Sequence, residues 1–441
     1  MNGVSTHVPT IASMLCGRRW SREQTLAFRN RRLRRLVAHA YRNVPYYRRL
    51  MDRNGIAPGD VRTVDDLKAF PMTAKNDLRA APLQDILTRG LNPEHMVTVR
   101  TSGCSGEPFT IRRTWVEQCT MLLFPLRAKR YAGARVRDKG AAVVYLRPGR
   151  GIGDPIHKRV AKAFGFCRQS YVDCCRQPGE ILQALREFRP EVLAGYAGTL
   201  ALIAEAATEH DRRCIRPRLI FSGSEVLTDA MRRLISDTFG AGVHDHYGAH
   251  EVGLIAWECK ETGQFHTCDD SVIVEVLKDG RPAVVGEEGE VVVTNLHFCG
   301  MPFIRYRLGD IVTMGPEACR CGEPFGTLRQ VRGRALEHFL LPDGRLIHPY
   351  SVVSILNKAA GWCWRFQLVQ ERSDSITLRA VPSRQPGPAE IAQLHESVKA
   401  VLGPEVEFHI VLVPEIKPGP GGKFRHSYSL VTRGRQTGTT L

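Results

Sequence analysis

The stretch Thr101-Ser102-Gly103-Cys104-Ser105-Gly106-Glu107-Pro108 decides how this 441-residue chain is read. Glycines let consecutive backbone N–H groups turn inward and hydroxyl side chains add donors, so such a loop can cradle a polyphosphate. An ordinary surface turn has a similar composition, and the loop alone decides little. Two later segments change its weight because they follow it in a fixed order: Tyr247-Gly248-Ala249-His250-Glu251 and Arg305-Tyr306-Arg307-Leu308-Gly309-Asp310.

Hydrophobic residues make up 43% of the chain and charged residues 24%, ordinary values for a globular protein. The length allows more than one domain and a large core. No run reaches the roughly 18 apolar residues of a membrane span, and the start of the chain lacks a basic segment followed by an apolar one, so neither a span nor a secretory signal is expected. Thirteen cysteines, odd in number and without framework spacing, predict reduced thiols in a cytoplasmic protein. The net charge of +17 suits anionic partners. Arg29, Arg31, Arg32, Arg34, Arg35, Arg42, Arg48 and Arg49 interleave with Leu33, Leu36, Val37, Ala40, Tyr41 and Val44, the pattern of an amphipathic helix with a solvated arginine face. No helix-turn-helix, finger or RNA-recognition signature accompanies the charge, so no nucleic-acid partner is expected. A non-catalytic, nucleic-acid-associated protein is the competing class.

From residue 95 onward, β-rich runs (Ala141–Leu146, Val192–Ala194, Leu219–Ser222, Val243–Tyr247) alternate with helical segments (Pro178–Phe188, Thr199–Thr208), which predicts parallel βαβ layering. Ser271–Leu277 and Glu290–Asn295, around turn-rich stretches, read as an antiparallel subdomain. A boundary is expected at Arg332-Gly333-Arg334, giving domains 1–332 and 333–441. The second is read as a small α+β domain with strands at Phe366–Val369, Ile376–Ala380 and Val406–Val413 and a helix at Pro388–Leu402. Lys417-Pro418-Gly419-Pro420-Gly421-Gly422-Lys423 reads as a mobile loop near its end.

These segments suit one chemistry, attack of a carboxylate on the α-phosphate of ATP. The 101–108 loop would cradle the β- and γ-phosphates. Glu251 would hold Mg2+ on the triphosphate, and Asp310 would accept from the ribose hydroxyls. Lys423, on a glycine-flanked loop, would bring a cation to the charge that develops on the phosphates. The order Ser–His–Asp and a Gly-Lys-Ser/Thr phosphate loop are both missing, which argues against a hydrolase and a P-loop enzyme.

On these residues, from about Asn43–Tyr47 to Lys423, the chain resembles the adenylate-forming superfamily. Within it, the chain resembles the phenylacetate–CoA ligase-like branch, in particular a subgroup associated with capsule and natural-product genes. The resemblance implies an α/β fold: a large multi-subdomain N-terminal adenylate-forming domain with mixed parallel sheets, and a small mobile α+β C-terminal domain. It implies that Thr101, Ser102, Gly103, Cys104, Ser105 and Gly106 bind phosphates. It implies that Gly223, Ser224, Glu225, Tyr247 and Gly248 help form the adenine and carboxylate sites, with Glu251 on magnesium. Asp310 would hold the ribose, Arg334 would contact the nucleotide at the domain junction, and Lys423 would be the adenylation lysine. Three departures stand out: Glu107 where many relatives have lysine, Ala335-Leu336-Glu337-His338 in place of paired acids at the hinge, and Leu341-Pro342-Asp343-Gly344-Arg345 in place of a glycine-rich stretch. The last two bear on thioester formation. The expected acceptor is coenzyme A, giving an acyl- or aryl-CoA, with an amine or a carrier-protein thiol as the alternative.

The acid's pocket is expected to be lined by Tyr145, Tyr196, Ala197, Ser222, Ala249 and His250, and the two tyrosines lean toward a flat or aromatic small-molecule carboxylate. His250 reads equally as an acting group or a packing residue. Cys104 reads as a small loop residue rather than a nucleophile, and Cys174-Cys175 read as unremarkable. Cys259, His266, Cys319 and Cys321, a Cys-x6-His and a distant Cys-x-Cys, offer the four N/S ligands of a structural zinc site, with Cys268 as the alternative ligand and idle thiols as the plain alternative. Some relatives carry zinc there, as the resemblance implies. A homodimer is left open.

Overall fold

The computed structural model describes residues 20–100, 109–146, 168–334, 339–347, 362–416 and 427–431, with isolated positions between 349 and 360. Thr101 to Gly106, the hinge 335–338 and Lys423 lie outside the described residues, and the Arg334 side chain is not described. Contacts divide the described residues into two compact units that meet in sequence at Gly333 and Arg334.

In the first unit, α1 (Arg22–Asn43) starts at a capping box, where the Ser21 hydroxyl accepts from Gln24 N at 3.1 Å and Gln24 Oε1 accepts from Ser21 N at 3.0 Å. Its apolar stripe, Leu33, Leu36, Val37 and Ala40, packs with Ile273, Leu296 and Ile304. The arginine face is less uniform than its sequence suggests. Arg32 is buried and donates to Leu296 O at 2.8 and 3.1 Å, because it lies at the edge of the stripe where a carbonyl is available. Pro45 then opens α2 (Pro45–Arg53), as its fixed φ and missing N–H allow.

Strands β1 (Val97–Arg100) and β2 (Thr110–Arg113) form an antiparallel hairpin on either side of the glycine loop sequence, and helix α3 (Trp115–Tyr131) follows. Next come β3 (Gly140–Val144), β4 (Gln169–Asp173), α4 (Pro178–Phe188), β5 (Val192–Tyr196), α5 (Ala197–Ala206), β6 (Leu219–Gly223), α6 (Asp229–Phe239) and β7 (Val243–Ala249). The chain continues through β8 (Gly253–Glu258), β9 (Phe265–Thr267), β10 (Val272–Lys278), β11 (Arg281–Pro282), β12 (Glu288–Asn295), β13 (Tyr306–Met314) and β14 (Thr327–Arg334).

Twelve of these strands make one sheet in the order β11-β10-β12-β13-β14-β9-β8-β7-β6-β5-β3-β4. β4, β3, β5, β6 and β7 run parallel, while β7 and β8 are antiparallel, as are β8 and β9. The expected alternation of strand and helix is present. The expected antiparallel region is present: β10 and β12 pair antiparallel, and they join the parallel strands in one continuous sheet. Turn-rich spacers mark reversals of direction, and they carry no information on whether the backbone ladder is broken.

The second unit has a short hairpin, β15 (Phe339–Leu340) with β16 (Leu346–Ile347), and a four-stranded sheet. In that sheet β17 (Cys363–Arg372) and β18 (Ser375–Pro382) are antiparallel, and β19 (Glu407–Leu412) and β20 (Ser427–Ser429) each add in parallel. Helix α7 (Pro388–Leu402) buries Leu394, Val398 and Leu402 in a core with Trp362, Leu368, Leu378 and Phe408. Among the described residues, no helix is long and apolar enough to cross a membrane.

Candidate active site

Parallel strands send all their carboxyl ends to one edge of a sheet, and ligands gather where chain order reverses. Here β3 has β4 on one side and β5 on the other, which makes that reversal. Tyr145 follows β3, Tyr196 ends β5 and Ala197 opens α5. Ser222, Gly223, Ser224 and Glu225 close β6, and Tyr247, Gly248, Ala249, His250 and Glu251 close β7. Residues far apart in sequence therefore share one edge. Ser224 adopts φ 66°, a left-handed conformation that is unusual for a residue with a Cβ and recurs at functional turns. Glu225 Oε2 accepts from Gly198 N at 2.7 Å, which anchors it to the first turn of α5.

Two residues read as unremarkable in the sequence, Cys174 and Cys175, belong to this edge together with Asp173. Asp173, Cys174 and Cys175 close β4, with their ligand atoms within 4.8 Å of one another. Burial, with Cys175 and Asp173 close by, pushes the Cys174 thiol up to about 12, and Glu225 is within electrostatic reach. Burial likewise pushes the Tyr196 hydroxyl up to about 12, and Cys174 and Glu225 add to it. Cys174 and Cys175 are thus neighbours of two expected site residues, a proximity made by the crossovers and invisible in local sequence.

At the end of β7, a Cβ on Gly248 would lie 2.8 Å from Gly253 O, so only glycine fits this close approach. Beyond it Glu251 is 5% exposed and interacts electrostatically with Arg113 of β2. Tyr247 Oη donates to Asp310 Oδ2 at 2.6 Å. Asp310 reaches this position through a bulge in β13: Glu290 pairs with Ile311 and Val292 with Arg307, leaving Leu308-Gly309-Asp310 opposite Val291. Gly309 takes φ 78° there, and bulges of this kind re-aim side chains beside active sites. Arg305, in the same sequence segment, is structural. It is buried, pairs with Glu275 at 3.1 Å and donates to Phe70 O at 2.7 Å and to Lys68 O.

The strand histidines lie against the sheet. His246 faces the Phe221 ring at 5.0 Å, and burial pushes it down to about 3, so it stays neutral. Its neighbour Asp245 accepts from the Ser222 hydroxyl at 2.6 Å, and burial pushes its carboxyl up to about 7. His250 is half-buried.

A separate cluster lies over the antiparallel strands. Cys259 follows β8, His266 is in β9, and Cys319 and Cys321 lie between β13 and β14. Their donor atoms all fall within 4.8 Å of one another. Cys259 Sγ and Cys319 Sγ are 3.8 Å apart, and His266 Nε2 is 3.2 Å from Cys321 Sγ. Two thiolates about 2.3 Å from a tetrahedral centre would be about 3.8 Å apart. Tyr131 Oη lies 3.3 Å from Cys259 Sγ. Cys268, the alternative, is outside this group: it is buried in the main core and faces Arg127 electrostatically.

No family model matches the chain. Over 310 residues it is 30% identical to the phenylacetate–coenzyme A ligase of Escherichia coli K12, which spans 68% of this chain and 69% of that enzyme. This chain belongs to the phenylacetate–coenzyme A ligase family. The ligase of the same name from Thermus thermophilus is 29% identical over 375 residues, 80% of each chain. Among solved structures, 2-hydroxyisobutyryl-CoA ligase in the postadenylation state with its R3-HIB-AMP ligand superimposes with a TM-score of 0.69 at 22% identity, covering 91% of this chain and 88% of that one. That likeness establishes a shared α/β fold, as the sequence predicts. Membership in the phenylacetate–coenzyme A ligase family makes the chain an acid–thiol ligase by descent.

Proposed function

We propose that this ligase activates a small carboxylic acid with ATP and Mg2+ and transfers the acyl group to coenzyme A. In the first step a carboxylate oxygen bonds to the α-phosphorus while the bond to the β-phosphate oxygen breaks, leaving acyl-AMP and pyrophosphate. In the second the thiolate of coenzyme A bonds to the acyl carbon and AMP leaves with the electron pair. The observation that carries this reading is the meeting of Ser222–Glu225, the Tyr247–Asp310 pair and buried Glu251 at the carboxyl ends of the parallel strands.

Glu251 offers carboxylate oxygens, the donor type Mg2+ requires. Asp310, oriented by Tyr247, would accept from the ribose hydroxyls, and Gly223, Ser224 and Gly248 would flank the adenine. Tyr145, Tyr196, Ala197, Ser222, Ala249 and His250 would line the acid's pocket, where the tyrosine faces suit a flat or aromatic acid. Thr101, Ser102, Gly103, Cys104, Ser105 and Gly106 would bind phosphate, Arg334 the nucleotide, and Lys423 the charge that develops during adenylation. For these the support is residue type and order in sequence.

Carboxylate-dependent ATP–pyrophosphate exchange across aryl, amino and aliphatic acids tests the reading, followed by thioester analysis with coenzyme A. Exchange with one acid class and a CoA product supports it. ATP binding without exchange for any acid would sink it.

Cys259, His266, Cys319 and Cys321 are proposed to hold a structural Zn2+. A set of three sulfurs and one nitrogen, with Cys259, His266 and Cys319 buried and Cys321 half-buried, fits that ion, and four protein ligands leave no position for a reacting water. Metal analysis should find about one equivalent, and a trace amount would overturn the assignment.

A further inference from the structure

We propose that Arg113 is a phosphate-binding residue of the nucleotide site, whose guanidinium N–H groups receive the pyrophosphate end of ATP next to Glu251. The inference rests on the ATP reading above and adds a residue that the glycine loop and the carboxylates did not point to.

Arg113 is 1% exposed. Among the described residues its Nε and Nη2 have no hydrogen-bond partner, and Nη1 makes one long bond, 3.4 Å, to Gln118 Oε1. Its guanidinium carbon lies over the Phe298 ring, 5.2 Å from the ring centre. A buried, unfilled donor costs about 1–3 kcal/mol, and more when charged, so two such nitrogens on one cation call for a physical reason. Three other arginines show the usual solution, although Arg29 and Arg112 each leave one buried Nε without a partner among the described residues. Arg32 donates to Leu296 O, Arg127 to both oxygens of Asp270, and Arg305 to Glu275 and two carbonyls.

The charge around Arg113 indicates what fits. Two carboxylates, Glu251 and Glu117, act on it electrostatically. Glu117 is already committed: Oε1 accepts from Cys299 N at 2.6 Å and Gly300 N at 2.8 Å, and Oε2 accepts from Thr114 N at 2.9 Å. Burial pulls Arg113 down to about 10 while the two carboxylates push the other way, so it stays a cation at neutral pH. A guanidinium fork with open donors, beside a carboxylate suited to Mg2+, matches a metal-bound polyphosphate: the phosphate oxygens fill the fork and the divalent ion meets the carboxylate. Arg113 also ends β2, the strand that leads away from the glycine loop sequence.

A purely structural arginine resting on Phe298 is the rival explanation, and the two differ in what a substitution does. We would measure binding of MgATP, AMP and pyrophosphate by calorimetry, and thermal stability, for the full chain, Arg113→Met and Arg113→Lys. Because a hydrogen bond to a charged group is worth about 1.5–3 kcal/mol, Arg113→Met should bind MgATP and pyrophosphate at least about tenfold more weakly. AMP, which lacks the phosphates in question, should bind within about twofold of the parent. Arg113→Lys, a point charge without the fork, should fall between. Thermal stability should hold or rise, since a buried cation with open donors is replaced by an apolar chain. Equal weakening of ATP and AMP, or unchanged ATP binding, would overturn the assignment. If Arg113→Met does not fold, the ATP-to-AMP ratio in Arg113→Lys decides in the same way. No acid is needed for these measurements, so they stand apart from the exchange assay, and a protein that binds ATP without exchanging pyrophosphate would fail only the functional reading.

Discussion

Over the antiparallel half of the large sheet, buried charge is closed on itself: Arg127 meets Asp270, and Arg305 meets Glu275 and two backbone carbonyls. At the carboxyl ends of the parallel half the arrangement is open. Glu251 and Arg113 sense each other, yet among the described residues two of the Arg113 nitrogens stay unfilled, and Asp310 is turned toward Tyr247 by a bulge. The difference follows from direction. Antiparallel strands alternate their ends, and the charged groups Arg127 and Arg305 there find partners within the sheet's own packing. Parallel strands deliver five carboxyl ends to one edge, where polar groups from separate strands converge.

The contrast predicts that substitutions in the open region cost activity and those in the closed region cost stability. The largest effect is expected for Glu251→Gln: pyrophosphate exchange falls by about a thousandfold, the scale of losing one preorganised electrostatic contact to a developing charge, while the urea midpoint stays near the parent's. A collapse of the midpoint in this variant would erase the contrast. Arg127→Met should do the reverse. It strands the buried Asp270 carboxylate at a cost of about 3 kcal/mol, read from urea unfolding, with turnover per folded molecule retained. A smaller stability loss, about 1–2 kcal/mol, is expected for Cys259→Ser together with loss of bound zinc, and full stability with zinc absent would show the cluster to be idle thiols.

The smallest effect concerns Asp245, at the seam between the halves. Its carboxyl is pushed by burial from 3.8 up to about 7. Between those pH values the folded protein keeps a proton that the unfolded chain has lost, so stability falls as pH rises through the window. Asp245→Asn keeps the acceptor for Ser222 and should flatten that part of the pH–stability profile; an unchanged slope would assign it to other groups.

Much of the architecture was legible locally. Pro178–Phe188 and Pro388–Leu402 are helices as read, each with proline in its first turn, and the apolar runs from 140 to 249 are strands. The glycine loop, the Tyr-Gly-x-His-Glu segment and Gly-Asp were read as chemistry because they follow one another in a fixed order, since each alone resembles an ordinary turn. Arg32 was misread as solvated, since a helical pattern shows the centre of a buried stripe and not which margin residue finds a carbonyl.

Other features were decided by the tertiary structure alone. Strand order set Cys174 and Cys175 beside Tyr196 and Glu225, and it joined β10 and β12 to the parallel strands in one sheet. Packing of β2, α3 and the β7 turn enclosed Arg113 with Glu117 and Glu251. Local sequence determines which elements form and what donors and acceptors they carry, because propensity, capping and periodicity act over a few residues. Which buried groups satisfy one another depends on contacts between separate elements, such as Tyr247 with Asp310 and Arg127 with Asp270, and only the folded chain creates those.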